Sequence, residues 1–358
     1  MIWLKADDER RLVRDLLLAL GASHRASDDA AADIVEADLR GHDSHGLARL
    51  ELQVRLIRGG TVNPAAEPVV EEARPGSLVV DGRTALGARA VIFGVQAAIE
   101  RALDAGSCAA TIHSHGYAAY YGYYAELGIE QDCIVLVCSK SSRWNVHAYG
   151  GVQPVLGSDP LAIGIPTNGD PLLLDMSTAA AANGKLLAAA RAGQSIPAGL
   201  AIDSEGRPTT DPRVAMQGAT SPFGGAKGYG LGLVVEMLGG LLARAGVGAQ
   251  VDEQGRTRPW SSSAIVLYVG AFIDPAEFRR QTSEYLRRVK GSRVAPGFEE
   301  ILVPGERAYR TRRERLASGI PIPDDVWEAV WRLARSVGVE ANGHNPHPNP
   351  LPEGEGTG

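Results

Sequence analysis

The stretch Cys108-Ala109-Ala110-Thr111-Ile112-His113-Ser114-His115 decides how the chain is organised, because a short apolar strand pattern ends there in two imidazoles. Residues 88–103 before it carry apolar side chains at helical spacing. A tyrosine-rich, helix-compatible segment at 117–127 follows, and a second apolar strand pattern covers 134–138. Alternation of helix and strand patterns is typical of an α/β layer structure. We therefore expect an α/β fold in which His113 or His115 emerges at the end of a strand, where functional residues of such sheets tend to lie.

The N-terminal part of the chain has a helical pattern. Residues 7–20 repeat leucine at helical spacing after an acidic first turn. Ser27 or Asp28 can cap a second helix, because short polar side chains accept hydrogen bonds from free backbone N–H groups at helix starts. The opening segment is therefore predicted to be helical.

The stretch Gly41-His42-Asp43-Ser44-His45-Gly46-Leu47-Ala48-Arg49 carries the chemistry of this part. A third helix capped by Asp43 or Ser44 would place His45 and Arg49 four residues apart on one face. A guanidinium fits a carboxylate in two parallel hydrogen bonds, and an imidazole exchanges protons near neutral pH. The mixture predicts a site for a small carboxylic acid that undergoes proton transfer.

The C-terminal half continues the alternation of patterns. A Gly-, Pro- and Asp-rich composition at 196–213 predicts a loop. The expected strands are 161–166, 172–175 and 264–269, and the expected helices are about 275–289 and 324–337.

The segment Pro222-Phe223-Gly224-Gly225-Ala226-Lys227-Gly228-Tyr229-Gly230 opens a strongly apolar helix. Glycines at a helix start let backbone N–H groups approach an anion, and Lys227 adds a positive charge, so the segment can bind phosphate. It does not match the GxGxxG fingerprint, which should follow a strand. Close helix packing or a turn explains the same glycines, and both interpretations stay open here.

Composition excludes several classes of partner. The formal net charge is −6 over 358 residues, without a basic run, so no nucleic-acid partner is expected. No apolar run approaches the roughly 18 residues of a membrane span, so no membrane partner is expected either. The N-terminus turns acidic before an apolar signal segment develops, and the three cysteines lie in or beside apolar runs. We expect a cytoplasmic protein with buried thiols.

A metal site is the alternative from another class. His42 and His45 together with His113 and His115 could bind zinc near an aspartate such as Asp43 or Asp159, as in a metal-dependent hydrolase. No downstream cluster has clear ligand spacing, and no GxSxG motif supports a serine hydrolase. The sequence therefore favours a site without metal.

The order of motifs along the chain resembles the malate/L-lactate dehydrogenase family of the non-Rossmann type. The resemblance covers about residues 5–338. Its motifs are Ser44-His45-Gly46 with Arg49, Ser114-His115, Gly150-Gly151, Gly157-Ser158-Asp159-Pro160, Asp175-Met176-Ser177-Thr178, Asn183-Gly184-Lys185, Thr210-Asp211-Pro212, residues 222–231 and Pro304-Gly305-Glu306.

The resemblance implies a mixed-sheet α/β fold that differs from the Rossmann fold. Residues 1–72 would form the N-terminal helical part of a substrate domain, and 73–300 an NAD(P)-binding α/β domain. Residues 301–340 would form a C-terminal helical part that packs back on the first. The Pro- and Gly-rich tail at 341–358 is expected to be disordered.

The resemblance also implies a reaction and its residues. A homodimeric enzyme would move a hydride between NAD(P)H and C2 of a 2-oxo acid, or of a related imine, without metal. His115 would exchange the proton, Arg49 would bind the substrate carboxylate, and Ser44 and His45 would line the same pocket. The implied cofactor contacts are Ser142, Asp175, Met176, Ser177, Lys227, Gly228 and Glu306.

Several positions depart from the family pattern. The motif around His115 is shifted, so the choice of His115 over His113 stays open. Lys140-Ser141-Ser142 replaces Thr-Asn-Ser, and Asp159 replaces an asparagine. An additional carboxylate near the site would repel an anionic substrate. A ureidoglycolate or cyclic-imine carboxylate substrate, or a dinucleotide-binding protein that has lost catalysis, therefore remain alternatives.

Overall fold

The structure, a computed structural model, describes residues 1–141, 144–247 and 259–339. The helices are α1 Ala6–Ala19, α2 His24–Leu39, α3 Leu50–Arg58, α4 Gly87–Ala105, α5 Tyr121–Glu126, α6 Asn183–Ala192, α7 Pro212–Ala215, α8 Ala226–Glu236, α9 Pro275–Lys290, α10 Glu306–Ser318 and α11 Asp324–Ser336. The strands are β1 Ile2–Leu4, β2 Val69–Arg74, β3 Ser77–Asp81, β4 Ser107–His115, β5 Cys133–Ser139, β6 Val146–His147, β7 Pro154–Leu156, β8 Pro160–Ile165, β9 Leu172–Ser177, β10 Ala201–Ile202, β11 Ala219–Thr220, β12 Trp260–Tyr268 and β13 Ile320–Ile322.

A seven-stranded sheet with the order β2-β3-β4-β12-β5-β8-β9 forms the centre of the molecule. β3 and β4 are parallel, whereas the other neighbours in this sheet are antiparallel. The helix α4 packs closely on it, because a Cβ on Gly94 would lie only 2.5 Å from Ile112 Cγ1. The predicted mixed α/β fold is confirmed.

One apolar core joins the N-terminal helices to this sheet. Its buried members include Leu16 of α1, Ile34 of α2, Val95 of α4 and Val135 of β5. Removing these side chains from water contributes roughly 1.5–3 kcal/mol each. The helical part and the sheet are therefore packed against each other rather than separated by a linker.

Two strands, β2 and β1, bear on the expected division of the chain into domains. The boundary expected between residues 72 and 73 lies inside β2, which pairs with β3. At the other end, β1 pairs with β13, with Ile2 opposite Ile322. The residues 341–358, expected to be disordered, lie outside the described residues.

Two predicted helix starts are wrong. The second helix is capped by Ser23, whose Oγ accepts from Ala26 N at 3.1 Å, rather than by Ser27 or Asp28. The third begins as a 3₁₀ turn at Leu47–Arg49 and continues as α3. His45 precedes this turn, so it does not share a helix face with Arg49.

The tyrosine-rich helix is shorter than predicted. Asp33 of α2 accepts hydrogen bonds from Ala119 N and Tyr120 N, both at 2.9 Å. These bonds hold the backbone before Tyr121 in a non-helical conformation. The helix α5 therefore starts only at Tyr121.

The three cysteines, Cys108, Cys133 and Cys138, are buried free thiols, as expected from their apolar surroundings. Within 1–141, 144–247 and 259–339, no helix has the length and apolar character needed to cross a membrane.

Candidate active site

The segment between α2 and α3 brings together several polar side chains. Ser44 Oγ lies 2.9 Å from His45 Nδ1, and Arg49 Nε donates to the Ser44 carbonyl at 2.7 Å. The His42 ring stacks on Tyr120 with 4.8 Å between centroids. Serine, imidazole and guanidinium therefore lie side by side in a partly exposed turn.

Both imidazoles in this turn are neutral at physiological pH. Burial and then the Arg49 guanidinium lower the pKa of His45 from 6.5 to about 4. Burial, followed by Arg307 and Arg40, lowers the pKa of His42 to about 4. A neutral imidazole has a lone pair that can accept a proton, and the adjacent cations lower its basicity until an anion offsets their charge.

Two cations to which the sequence analysis gave no role lie near His42. Lys185 and Arg307 both contribute to the lowered pKa of His42. The start of α6 lies against the same segment, since a Cβ on Gly184 would be 3.1 Å from Ser44 Cβ. Lys185 belongs to the motif Asn183-Gly184-Lys185, whereas Arg307 follows Glu306 without a periodic pattern that would mark it.

His115 lies at the end of β4 and is only 1% exposed. Its Nδ1 donates to the Gly116 carbonyl at 2.7 Å, and its Nε2 lies 3.0 Å from Ser262 Oγ. Tyr121 Oη lies 2.8 Å from the same Ser262 oxygen. Burial lowers the pKa of His115 to about 4, so this ring is neutral and bonded at both nitrogens.

Tyr117 lies between His115 and Arg49. The Arg49 guanidinium is 5.9 Å from the centre of the Tyr117 ring. That ring makes an edge contact with Trp260 at 6.1 Å, and Trp260 is the strand partner of His115. The contacts thus connect the two groups through aromatic rings rather than directly.

His113, the alternative to His115, has partners at the edge of the sheet. Its Nε2 lies 3.1 Å from Glu71 Oε2, and its Nδ1 lies 3.0 Å from Ser114 Oγ. Ser114 has a left-handed φ of 55° at a bulge opposite β12. His113 is thus bonded to Glu71 and Ser114, whereas the buried His115 is bonded to Gly116 and Ser262.

The start of α8 has the features of an anion cradle. Gly224 and Gly225 have positive φ values of 56° and 65°, and no side chain caps the helix start. A Cβ on Gly228 would lie 2.0 Å from the Phe223 carbonyl oxygen. Lys227 in the first turn is exposed. Free N–H groups and a lysine at a helix start suit a phosphate.

The other implied cofactor residues lie along β9 and at the start of α10. Ser177 Oγ donates to the Ser158 carbonyl at 2.7 Å, and Thr178, the next residue, accepts from Phe223 N at 3.1 Å. The end of β9 therefore adjoins the cradle. Met176 pairs with Leu161 in the sheet.

Asp175 and Glu306 have contrasting surroundings. Burial raises the pKa of Asp175 to about 7, and the nearby Arg40 opposes this rise. Glu306 is ion-paired with Lys290 and Arg310, and these partners lower its pKa. The Glu306 carboxylate is thus held by Lys290 and Arg310. Ser142 lies outside the described residues.

The unusual Asp159 organises its own loop. It is fully buried, its Oδ1 accepts from Ser141 N at 2.9 Å, and its Oδ2 accepts from Gly157 N at 3.1 Å. Burial raises the pKa of this carboxyl to about 6. The side chain that replaces the family asparagine therefore accepts backbone hydrogen bonds. The adjacent Lys140 is 1% exposed.

The alternative function, a metal-dependent hydrolase, requires a set of metal ligands. In the part of the chain that the structure describes, no group of three His, Cys, Asp or Glu side chains is arranged to hold a metal ion. His45 is bonded to Ser44, and His113 to Glu71.

Known proteins match the chain over almost its whole length. The family model for malate/L-lactate dehydrogenase matches residues 4–330. L-sulfolactate dehydrogenase of Methanothermobacter thermautotrophicus is 32% identical over 339 residues, which cover 94% of this chain and 97% of that protein. The solved structure of sulfolactate dehydrogenase from Methanocaldococcus jannaschii has a TM-score of 0.88 at 32% identity, covering 96% of this chain and 99% of that one.

Two further relatives carry a cofactor in their names. Ureidoglycolate dehydrogenase (NAD(+)) of Escherichia coli K12 is 31% identical, covering 89% of this chain and 92% of that protein. (2R)-3-sulfolactate dehydrogenase (NADP(+)) of Chromohalobacter salexigens is 32% identical, covering 89% of this chain and 94% of that protein.

Proposed function

The chain belongs to the malate/L-lactate dehydrogenase family, and we propose that Arg49 and His45 perform the substrate chemistry of this NAD(P)-dependent oxidoreductase. Arg49 binds the carboxylate of a small 2-hydroxy acid, and His45 takes the proton from its C2 hydroxyl. The observation that carries this assignment is the bonded group of Ser44, His45 and Arg49 in a partly exposed turn.

The proton transfer follows from the state of His45. When Nδ1–H donates to Ser44 Oγ, Nε2 presents a lone pair, and no described residue bonds to it. In the oxidative direction Nε2 accepts the hydroxyl proton while the hydride leaves C2. A bound carboxylate offsets the charge of Arg49, which raises the proton affinity of the imidazole. In the reductive direction the same nitrogen returns the proton to the C2 oxygen.

The residues at the start of α8 fit an NAD(P) diphosphate. The closely packed Gly228, the uncapped N–H groups and Lys227 form a cradle that a larger side chain at position 228 would distort. NAD(P)+ supplies the hydride acceptor at C4 of its nicotinamide when it is bound. The adjoining end of β9 leads from this cradle towards Asp175, Tyr120 and the stacked His42.

Lys185 and Arg307 indicate the substrate class. Both lie near His42, which stacks beside the turn that carries Arg49. A 2-hydroxy acid with a second anionic group, either carboxylate or sulfonate, would have one cation for each charge. We therefore expect dianionic acids to be preferred over lactate.

The histidine assignment is tested by paired variants. His45→Ala should lower kcat roughly 100-fold or more, as expected for loss of a proton-transfer residue, with an unchanged dissociation constant for the cofactor. His115→Ala should have a smaller effect on kcat, because Gly116 and Ser262 occupy both its ring nitrogens. The opposite ranking would assign the proton to His115, as the family resemblance implies.

The function itself is tested with a substrate panel. The protein is mixed with NAD+ or NADP+ and malate, lactate, sulfolactate or ureidoglycolate, and with NAD(P)H and 2-oxo acids or cyclic imine carboxylates. Reduction of the nicotinamide by a 2-hydroxy acid supports the proposal. Cofactor binding without turnover of any substrate would instead indicate a protein that has lost catalysis.

A homodimer in the cytoplasm completes the proposal. Val234 of α8 and Met237, Leu241 and Leu242 of the π-helical segment Met237–Leu242 that continues it are each about half exposed (47–59%). Such an apolar face on a helix that starts at the cofactor cradle suits a second copy of the chain. Light scattering should give a dimer mass, and Leu241→Lys should weaken the dimer.

The buried thiols suit a reducing compartment such as the cytoplasm, which cell fractionation would test.

A further inference from the structure

A buried carboxylate from α2 holds the turn that carries His45 and Arg49. Asp38 is 2% exposed, and its Oδ2 accepts a hydrogen bond from Leu47 N at 2.7 Å. Leu47 is the first residue of the 3₁₀ turn Leu47–Arg49, which has no side-chain cap of its own. Asp38 therefore caps this turn from another helix.

Gly46 makes this approach possible. A Cβ at position 46 would lie 1.9 to 2.0 Å from three atoms of the Asp38 carboxyl group. Any larger residue would displace the carboxylate or the turn. The glycine between His45 and Leu47 thus has a packing reason that the local sequence does not reveal.

Glu9 of α1 is the partner of Asp38. Its side chain is completely buried, and no donor among the described residues reaches its carboxyl oxygens. Burial and the neighbouring Asp38 raise the pKa of Glu9 well above its usual value. Burial also raises the pKa of Asp38, to about 7, so two neighbouring buried carboxyl groups do not both ionise, and Asp38 is the one of the pair that ionises first.

The other charges that face the pair come from three elements. Arg10 lies beside Glu9 on α1, and Asp43 faces Asp38 from the turn. Arg315 of α10 faces both carboxyl groups, and it donates to the Asp38 carbonyl and to Asp43 Oδ1. The pair is thus enclosed between α1, α2, the turn and α10.

We propose that Asp38 is a positioning residue for the proposed reaction, which fixes the Leu47 turn and thereby the orientation of His45 and Arg49, with Glu9 of α1 as its buried neighbour. The proposal rests on the proposed function only for its kinetic readout. The capping itself can be measured by hydrogen exchange at the Leu47 amide, whatever the substrate is.

The test compares Asp38→Ala and Asp38→Asn with a control variant, Asp274→Ala, which removes a carboxylate that accepts from Glu277 N at 2.9 Å at the start of α9. Asp38→Ala should raise the exchange rate of the Leu47 amide and the substrate KM roughly tenfold or more, as expected for loss of a charge-assisted hydrogen bond. The cofactor dissociation constant should stay the same. Asp38→Asn keeps a hydrogen-bond acceptor for Leu47 N, so its Leu47 exchange rate and substrate KM should both lie close to the wild-type values.

Asp274→Ala should lower the melting temperature without these local effects. A wild-type Leu47 exchange rate and substrate KM in Asp38→Ala would overturn the proposal. Equal effects of Asp274→Ala and Asp38→Ala would also overturn it, because they would indicate general destabilisation. If no acid is turned over by the wild-type protein, the proposed function fails while the exchange measurement still decides the capping role.

Glu9 provides a second test if Asp38→Ala does not fold. Glu9→Leu removes the donor that favours ionised Asp38, so the loss of Leu47 protection on acidification should begin at higher pH than in the wild type. Glu9→Gln keeps a donor and should retain the wild-type profile. Identical pH profiles for wild type and Glu9→Leu would contradict the role of the pair.

Discussion

Replacing Arg49 with glutamine separates two consequences of the same guanidinium. Arg49 is the proposed carboxylate ligand, and after burial it is the next cause that lowers the pKa of His45. Hydrogen bonds to charged groups contribute about 1.5–3 kcal/mol, and about 1.4 kcal/mol corresponds to a factor of ten. Arg49→Gln should therefore raise the KM for the organic acid roughly 10- to 150-fold, with little change for the cofactor.

The pH profile gives an independent readout of the same variant. His45 must be neutral to accept the substrate proton, so kcat/KM for oxidation falls as the pH falls through its pKa, which lies at about 4 in the wild type. Removing the adjacent cation favours the imidazolium and moves this fall to higher pH. Burial remains, so the new value should stay below 6.5.

The control for this experiment is Arg55→Gln, the same change of charge on the exposed side of α3. The KM for the organic acid, the KM for the cofactor and the pH profile of kcat/KM should all be the same in Arg55→Gln as in the wild type. A substrate KM in Arg49→Gln within twofold of the wild type, or an acidic limb that does not move, would refute the reasoning about this guanidinium.

Three further variants test the cofactor cradle and the buried charges. Gly228→Ala places a methyl group 2.0 Å from the Phe223 carbonyl oxygen and should weaken NAD(P)H binding at least tenfold in a fluorescence titration, whereas Gly230→Ala, with open space around it, should not. Arg40→Met removes the cation shared by the buried Glu36 and Glu126, which keep only Arg312 and Tyr309 as partners, and should lower the free energy of unfolding by about 3–5 kcal/mol in urea. Burial raises the pKa of Asp175 to about 7, so the unfolding free energy of the wild-type apoprotein should fall as pH rises towards 7, and Asp175→Asn should reduce this fall by its own share, leaving the share of Asp38, whose pKa burial also raises to about 7.

The strands of the fold could be predicted from the sequence because burial on a sheet leaves a local pattern. The apolar runs at 108–112 and 134–138 lie within β4 and β5 as expected. The residues at which helices start were harder to predict from the sequence. Ser23 and Ser27 are chemically alike, and only the backbone conformation decides that Ser23 is the cap.

The candidate site was only partly visible in the sequence. The cluster of Ser44, His45 and Arg49 is local, so its composition alone indicates acid chemistry. Lys185 and Arg307 reach the same region from distant segments, and Asp38 caps Leu47 from nine residues earlier. No periodicity records such contacts, because they depend on how α2, α6 and α10 pack together.

The most direct test of the proposed reaction follows the hydride itself. The protein is incubated with NAD+ or NADP+ and a 2-hydroxy acid that carries deuterium at C2, and the reduced nicotinamide is analysed by mass spectrometry. We predict one deuterium in each reduced cofactor molecule, and a roughly 100-fold slower transfer of this label in His45→Ala. Reduced cofactor without deuterium, or none formed from any acid of the panel, would contradict the proposed hydride transfer.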